Sequence, residues 1–121
     1  MKPLALVIED SKDVALVFHT AMERAGYTVE TIYDGSVALE RLAEVIPDLI
    51  VLDLHLPGVS GEQILKHIHL DTRLEKVKVI VATADSNWAE KLANDSTISM
   101  LKPISFMQLR QIAERLKPQD E

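Results

Sequence analysis

Two kinds of hydrophobic pattern alternate along this chain. Short apolar runs at 4–8, 48–52, 77–82 and 98–101 predict strands that are buried on both faces of a parallel sheet. A further segment, 27–32, alternates polar and apolar residues, as an edge strand with one exposed face does. The pattern therefore predicts five strands, and one of them lies at an edge of the sheet.

Between these strands, apolar residues recur at the spacing of amphipathic helices. The stripes are Val14, Val17, Phe18, Ala21, Met22 and Ala25; Ala38, Leu42, Val45 and Ile46; Ile64, Leu65 and Ile68; Trp88, Ala89 and Leu92; and Phe106, Leu109, Ile112, Ala113 and Leu116. The helix around Trp88, over 86–94, is short and weakly amphipathic, and 71–76 is a polar connector. Strictly alternating strands and helices predict an α/β fold with a parallel sheet and helices on both faces.

Capping residues mark several helix ends. Ser11 or Asp10 can cap the first helix, Ser60 the third and Ser105 the last, because their side chains accept hydrogen bonds from free backbone N–H groups. Gly26 follows the first helix, where a left-handed residue commonly ends one. These signals agree with the boundaries that the apolar stripes predict.

Length and charge narrow the class of protein. With 121 residues the chain fits one domain over 1–121, with a core at 4–117 and a frayed tail at 118–121. The 19 acidic and 13 basic residues give a net charge of −6, which argues against direct nucleic-acid binding. The chain has no cysteine, and no apolar run approaches the roughly 18 residues of a membrane span. We expect a cytoplasmic protein that binds neither membranes nor nucleic acids.

Chemically reactive side chains stand where the buried strands end. Glu9 and Asp10 follow the first buried strand, Asp53 the second, Thr83 the third and Lys102 the fourth. The carboxyl ends of parallel strands meet at one edge of the sheet, where the ligand crevice lies. We therefore expect these side chains to converge there, although they are far apart in sequence.

Each of these residues has a functional and a structural interpretation. Asp53 can be a nucleophile that forms an acyl phosphate, or an aspartate that caps a helix or a turn. Glu9 and Asp10 can bind Mg²⁺, which prefers oxygen ligands, or form an acidic turn with a helix cap. Lys102 can neutralise a phosphoryl oxygen or be a surface lysine, and Thr83 can hydrogen-bond that oxygen or only pack. In combination their charges complement a phosphoryl group with Mg²⁺, which favours the functional interpretation.

Several stretches resemble the receiver domain of two-component response regulators. They are VIED at 7–10, YDGSVAL at 33–39, PDLIVLDLHLPGVSG at 47–61, VATA at 81–84 and LKP at 101–103. The resemblance covers residues 4–117 and is most specific in 47–61 and in the closing Lys-Pro pair. It implies a flavodoxin-like (βα)5 fold, with a doubly wound, five-stranded parallel sheet and helices on both faces.

The resemblance also implies a phosphoryl-transfer site. Asp53 would be the phosphoacceptor, Thr83 and Lys102 would contact the phosphoryl group, and the Lys102–Pro103 peptide would be cis. The donor would be a phosphohistidine of a histidine kinase or phosphotransfer protein. Phosphorylation would then switch protein–protein contacts, with a homodimer as one possible form, and the only catalysis would be transfer to and from the chain itself.

A metal site belongs to the same resemblance. Asp10 and Asp53 would bind Mg²⁺ directly, Glu9 would act through water, and the backbone carbonyl of His55 would complete the protein ligands. His55 and Asp85, two positions beyond Asp53 and Thr83, lie where receivers tune the access of hydrolytic water. Their side chains can pair over the site.

The chain departs from the receiver pattern in its relay. Three positions before Lys102, where receivers commonly carry an aromatic switch residue, it has Ser99, and the span from Thr83 to Lys102 is a few residues short. These departures keep a second hypothesis open, a pseudo-receiver that is not phosphorylated and acts as a protein-interaction module. An aspartate-nucleophile phosphohydrolase is less suitable, because its second aspartate would stand where this chain has His55.

Overall fold

The computed structural model of the chain describes residues 2–85, 87 and 96–118. Its elements are β1 (Leu4–Ile8), α1 (Lys12–Arg24), β2 (Thr28–Ile32), α2 (Gly35–Glu44), β3 (Leu49–Asp53), α3 (Gly61–Leu70), a 3₁₀ turn (Thr72–Leu74), β4 (Lys78–Thr83), β5 (Thr97–Leu101) and α4 (Phe106–Leu116). Apart from Asn87, the helix predicted over 86–94 lies outside the described residues, as does the end of the tail at 119–121.

The strands of the described chain form one parallel sheet in the order β2-β1-β3-β4-β5. The alternating segment is β2 and lies at one edge, as predicted. The prediction that the 98–101 run is buried on both faces is wrong, because that strand is β5 at the other edge, where Ile98 and Leu101 are 36% and 51% exposed. β2 lies on one side of β1, whereas β3, β4 and β5 follow on the other side. The direction in which strands are added therefore reverses between β1 and β3. Ligands of open α/β sheets bind at this switch point, outside the carboxyl ends of the strands. The predicted flavodoxin-like α/β fold is confirmed.

Each face of the sheet carries its own hydrophobic core, because successive strand residues point to opposite faces. One core packs β1, β3 and β4 against α2 and α3, and the other packs them against α1 and α4. The strand residues of the first core are Leu6, Ile8, Ile50, Leu52, Val79 and Val81, and those of the second are Ala5, Val7, Leu49, Val51, Ile80 and Ala82. The central strands are thus buried on both sides, which fixes the backbone that carries their last residues.

The helices begin at capping residues. Ser11 caps α1, Asp34 caps α2 and Ser105 caps α4, each accepting a hydrogen bond from a backbone N–H of the first turn. Ser60 and Gln63 form a reciprocal capping box at the start of α3. Asp10 is therefore not the cap of α1, and its carboxylate is available for other partners. None of the described helices is long and apolar enough to cross a bilayer.

Local sequence patterns mispredicted several positions. Val17 and Ile46 were predicted in buried stripes but are 42% and 56% exposed. Ile46 is exposed because α2 ends at Glu44 and the extended Val45 carries Ile46 away from the core. The predicted polar connector contains a 3₁₀ turn whose Leu74 is buried beneath α3. Tertiary packing decided these positions, and periodicity alone does not report it.

Candidate functional site

The reactive side chains converge at the carboxyl edge of the sheet. Asp53 is the last residue of β3 and Thr83 the last of β4, while Glu9 and Asp10 follow β1 and Lys102 follows β5. One carboxylate oxygen from each of the three acids lies within 4.8 Å of the others. The lysine and threonine are joined through backbone, since the N–H of Lys102 donates to the carbonyl of Thr83 at 2.8 Å. The structure thus brings together the five positions that the strand ends predicted.

Two of the acids are buried and held by the lysine. Glu9 is 1% exposed and Asp53 is 3% exposed, whereas Asp10 is open to solvent. Lys102 Nζ lies 2.8 Å from Glu9 Oε1 and 3.4 Å from Asp53 Oδ1, so its charge offsets both carboxylates. Burial alone would lower the pKa of the Lys102 ammonium, but the hydrogen bond to Glu9 and the charges of both acids outweigh it and raise that pKa. Lys102 therefore stays protonated at neutral pH.

Backbone N–H groups orient the buried carboxylates. The N–H of Ser11 donates to Glu9 Oε2 at 3.1 Å, and the N–H of His55 donates to Asp53 Oδ1 at 3.1 Å. Lys102 also approaches Oδ1 of Asp53. Within the described residues no donor makes a hydrogen bond to Asp53 Oδ2. This second oxygen is therefore the one with lone pairs free for a metal ion or a phosphorus atom.

Thr83 is fully buried at the end of β4, and its hydroxyl is already oriented. Its Oγ1 accepts a hydrogen bond from the N–H of Asp85 at 3.0 Å, which leaves its proton free to be donated. The Asp85 carboxylate accepts from the N–H of Asn87 at 2.9 Å. His55 and Asp85 are both exposed, and in the described part of the chain their side chains form no ion pair. The pairing that the sequence suggested is thus absent from this structure.

The donor set fits Mg²⁺. All three side chains offer oxygen, the ligand that Mg²⁺ prefers, and the exposed Asp10 leaves one side open for the waters that this ion retains. Glu9 is less suited to direct contact, since Oε1 and Oε2 are engaged by Lys102 and by the Ser11 N–H. The geometry favours Asp10 and Asp53 as the side-chain ligands.

Two backbone features shape the site, a cis peptide and a glycine that allows a close backbone approach. The sequence predicts the first but not the second. The Lys102–Pro103 peptide is cis, the isomer that the resemblance implies. Gly61 is the last residue of the 47–61 stretch, and a Cβ there would overlap the carbonyl oxygen of Asp53 and lie 2.6 Å from Leu54 Cα. Only glycine lets α3 begin directly against the backbone of Asp53. The single signal for this was its position shortly after Pro57 and Gly58.

Ser99 has a buried hydroxyl without a hydrogen-bond partner among the described residues. It pairs with Val81 in the register of β4 and β5, on the same sheet face as Thr83 and Leu101, which pair two residues further on. The position where an aromatic relay residue was expected thus holds a small side chain whose oxygen is desolvated and unbonded.

Replacing Ser99 by alanine is expected to raise the free energy of unfolding by about 0.5–1 kcal/mol, because it removes a desolvation cost and breaks no hydrogen bond. Urea denaturation of both proteins measures this. The matched variant is Thr97→Val in the same strand, whose hydroxyl lies 3.2 Å from His69 Nε2 and is 2% exposed with the rest of its residue. It should lower stability by a similar amount. A loss of stability in Ser99→Ala would show that its hydroxyl has a partner.

Comparison with known proteins identifies the class. The family model for the response regulator receiver domain matches residues 5–114, and the chain belongs to this family. The probable methanogenesis regulatory protein FilR2 of Methanothrix harundinacea is 31% identical, over 94% of this chain and 81% of that protein. The phosphate regulon regulator PhoB of Rhizobium meliloti is 32% identical over 98% of this chain, which spans only 56% of PhoB.

Solved structures show the same fold. The chemotaxis response regulator CheY4 of Vibrio cholerae superposes with a TM-score of 0.83 at 21% identity, covering 96% of this chain and 99% of that one. The bacteriophytochrome response regulator RtBRR superposes with a TM-score of 0.79 at 25% identity, covering 95% and 76%. Receiver domains are signalling modules that bind Mg²⁺ at an acidic pocket and interact with histidine kinases or phosphotransfer proteins. The chain accordingly belongs to two-component signalling.

Proposed function

We propose that this chain is a phosphorylatable receiver, which accepts a phosphoryl group on Asp53 from a phosphohistidine of a partner protein. One observation carries the proposal. Asp53 is a buried carboxylate whose Oδ1 is held by Lys102 and the His55 N–H, while Oδ2 accepts no hydrogen bond from the described residues. A carboxylate fixed in this way through one oxygen keeps the lone pairs of the other for attack on phosphorus, which a purely capping interpretation leaves without a role.

The chemistry is the transfer of a phosphoryl group from a donor nitrogen to an acceptor oxygen. An oxygen of Asp53 forms a bond to phosphorus as the P–N bond of the donor phosphohistidine breaks, and the electron pair of that bond returns to the imidazole nitrogen. Charge spreads over the phosphoryl oxygens during this step, so positioning and electrostatic stabilisation supply most of the catalysis. Lys102 supplies a positive charge next to the acceptor, and Thr83 offers a hydroxyl proton to a phosphoryl oxygen.

A magnesium ion fits the same proposal. Asp10, Asp53 and the carbonyl of His55 would hold it directly, and Glu9 would act through a water molecule. When bound, Mg²⁺ would neutralise phosphoryl charge that Lys102 alone does not offset. The protein's own contribution is to keep Asp10 exposed and Asp53 oriented, so that the ligands need little rearrangement.

The consequence of phosphorylation would be a change in protein–protein contacts. Movement of Thr83 towards the phosphoryl group would bias the segment that follows β4 between two arrangements. We propose that the chain acts in the cytoplasm as one domain over residues 1–121, with a protein target. Self-association through the β5–α4 face, where Leu101 and Met107 are exposed, is one form that this output would take.

The proposal is tested by direct phosphorylation. The protein is incubated with acetyl phosphate and Mg²⁺ and then weighed intact. We expect one phosphoryl adduct that is stable in acid and labile in base, that does not form when EDTA is present from the start, and that borohydride reduction maps to Asp53. The absence of any adduct, despite native circular dichroism, would favour the pseudo-receiver. Repeated turnover of an unrelated phosphate ester would favour a phosphohydrolase.

A further inference from the structure

The loop between β3 and α3, residues 54–60, packs against the first turn of α2. The N–H of Gly35 points at the carbonyl of Pro57 at 3.5 Å. A Cβ at Gly35 would overlap the carbonyl oxygen of Val59 and lie 2.8 Å from its carbonyl carbon. Two stretches of main chain therefore touch with no room for a side chain between them, and backbone cannot move aside as a flexible side chain can.

The same loop approaches the amino end of α2 at a second point. Gly58 has φ +72°, and a Cβ there would lie 3.2 Å from Ser36 Oγ and 3.6 Å from Asp34 Oδ2. The Asp34 carboxylate is itself immobilised, because its Oδ1 accepts from the N–H groups of Ser36 and Val37 at 2.7 and 3.2 Å. The side chain that the loop approaches at the amino end of α2 is thus held in place by hydrogen bonds.

The far end of the loop is anchored on the phosphoacceptor strand. Gly61 N–H donates to the carbonyl of Leu54 at 3.1 Å, and Gly61 has no space for a side chain against the carbonyl of Asp53. With that end fixed, a push at Val59 is transmitted towards the other end of the loop. That end holds His55, whose N–H orients Asp53 Oδ1.

We propose that Gly35 is a positioning residue for the phosphoryl-transfer site. It acts through Val59 and the loop to set the backbone of His55 relative to Asp53, and it touches neither phosphoryl group nor metal. The inference rests on the proposed function, since its consequence is the geometry of the Asp53 and His55 oxygens towards Mg²⁺. Residues that do not bind a metal often orient the residues that do, and Gly35 would do so through the packed loop.

Helix formation does not explain the glycine at position 35. Gly35 is the first residue of α2 and does not have a positive φ, so its backbone conformation is open to any residue. Alanine is the better helix former at such a position. The overlap with Val59 is the structural feature that opposes the substitution.

The test replaces Gly35 by alanine and measures Mg²⁺ affinity by calorimetry, with the backbone amide signal of His55 followed by NMR. We expect affinity to fall about 10-fold, since loss of an orienting contact outside the ligand set costs roughly 10–100-fold in metal affinity. The His55 amide should shift even without metal, and labelling by acetyl phosphate should slow.

Gly26→Ala is the matched control. Gly26 has φ +103°, lies after α1 at the opposite edge of the sheet, and a Cβ there would have atoms of the Lys117 side chain as its nearest neighbours. This variant should lose stability yet keep Mg²⁺ affinity within about twofold of wild type. Wild-type affinity in Gly35→Ala, or an equal loss of affinity in Gly26→Ala, would overturn the inference.

A wild-type measurement decides the matter if Gly35→Ala does not fold. Coupling between sites is reciprocal, so Mg²⁺ binding should slow hydrogen exchange at the Gly35 amide if the loop joins the two. If hydrogen exchange at the Gly35 amide is unchanged in protein that demonstrably binds Mg²⁺, the inference is overturned while the proposed function stands. Wild-type protein that neither binds Mg²⁺ nor accepts a phosphoryl group would instead overturn the proposed function, and this inference with it.

Discussion

Asparagine in place of Asp53 is expected to abolish phosphoryl uptake from acetyl phosphate, with labelling reduced at least about 10³-fold. The amide has nearly the same shape as the carboxylate but lacks the anionic oxygen that attacks phosphorus. The fold should survive, because the change neutralises one of three converging carboxylates while Lys102 keeps Glu9 as its closest partner at 2.8 Å. The free energy of unfolding should therefore be equal to or above that of wild type, as like-charge repulsion falls.

The control for this variant is Asp13→Asn, an equally conservative change at an exposed position in the first turn of α1. It should be labelled as wild type is. Intact mass after a timed incubation provides the measurement for all three proteins. One phosphoryl group on Asp53→Asn, at the wild-type rate, would place the acceptor elsewhere and end the case for Asp53.

Methionine in place of Lys102 is expected to slow labelling about 100-fold, the usual cost of losing one group that stabilises transition-state charge. Methionine keeps much of the side-chain volume, so the loss reports the ammonium. Stability should also fall, by about 1–3 kcal/mol, because Glu9 and Asp53 lose the positive charge that offsets two buried carboxylates. Timed mass measurements and urea denaturation test the two expectations separately.

The stabilising effect of Lys102 has a defined pH window. Since the pKa of Lys102 is raised in the folded protein, its charge stabilises the fold fully below the unfolded pKa, about 10.4, and loses that effect as pH rises through the folded pKa. The stability difference between wild type and Lys102→Met should therefore be flat from about pH 6 to about pH 9 and shrink above about pH 10. Lys66→Met, an exposed change on α3, is the control. Equal labelling rates in wild type and Lys102→Met would remove the lysine from the mechanism.

Much of the fold and the site was predictable because the relevant signals are local. Buried strands of a parallel sheet are continuous apolar runs, and their ends can be read one by one. The α/β rule then places all these ends at one edge, which is why Asp53, Thr83 and Lys102 could be grouped without coordinates. The order of the strands in the sheet was not needed for this, because all parallel strands end at the same edge.

What the sequence did not reveal depends on contact between distant backbone segments. Gly35 is one residue of the YDGSVAL stretch in sequence, and only the structure shows that it begins α2 and leaves space for Val59. The carboxylate of Glu9 could be grouped with the metal ligands, but its engagement by Lys102 and Ser11 depends on side-chain geometry. The desolvated hydroxyl of Ser99 likewise follows from packing and not from residue type.

The ion pair between Glu9 and Lys102 joins residues that are 93 positions apart. During synthesis, β1 and β3 emerge well before β5, so their two acids can be gathered while the lysine is still to be translated. The complete acceptor site therefore exists only after β5 and Lys102 have left the ribosome. A product truncated before Lys102 would carry Asp53 without its counter-charge, and a phosphodonor would meet the assembled site only on chains translated through β5.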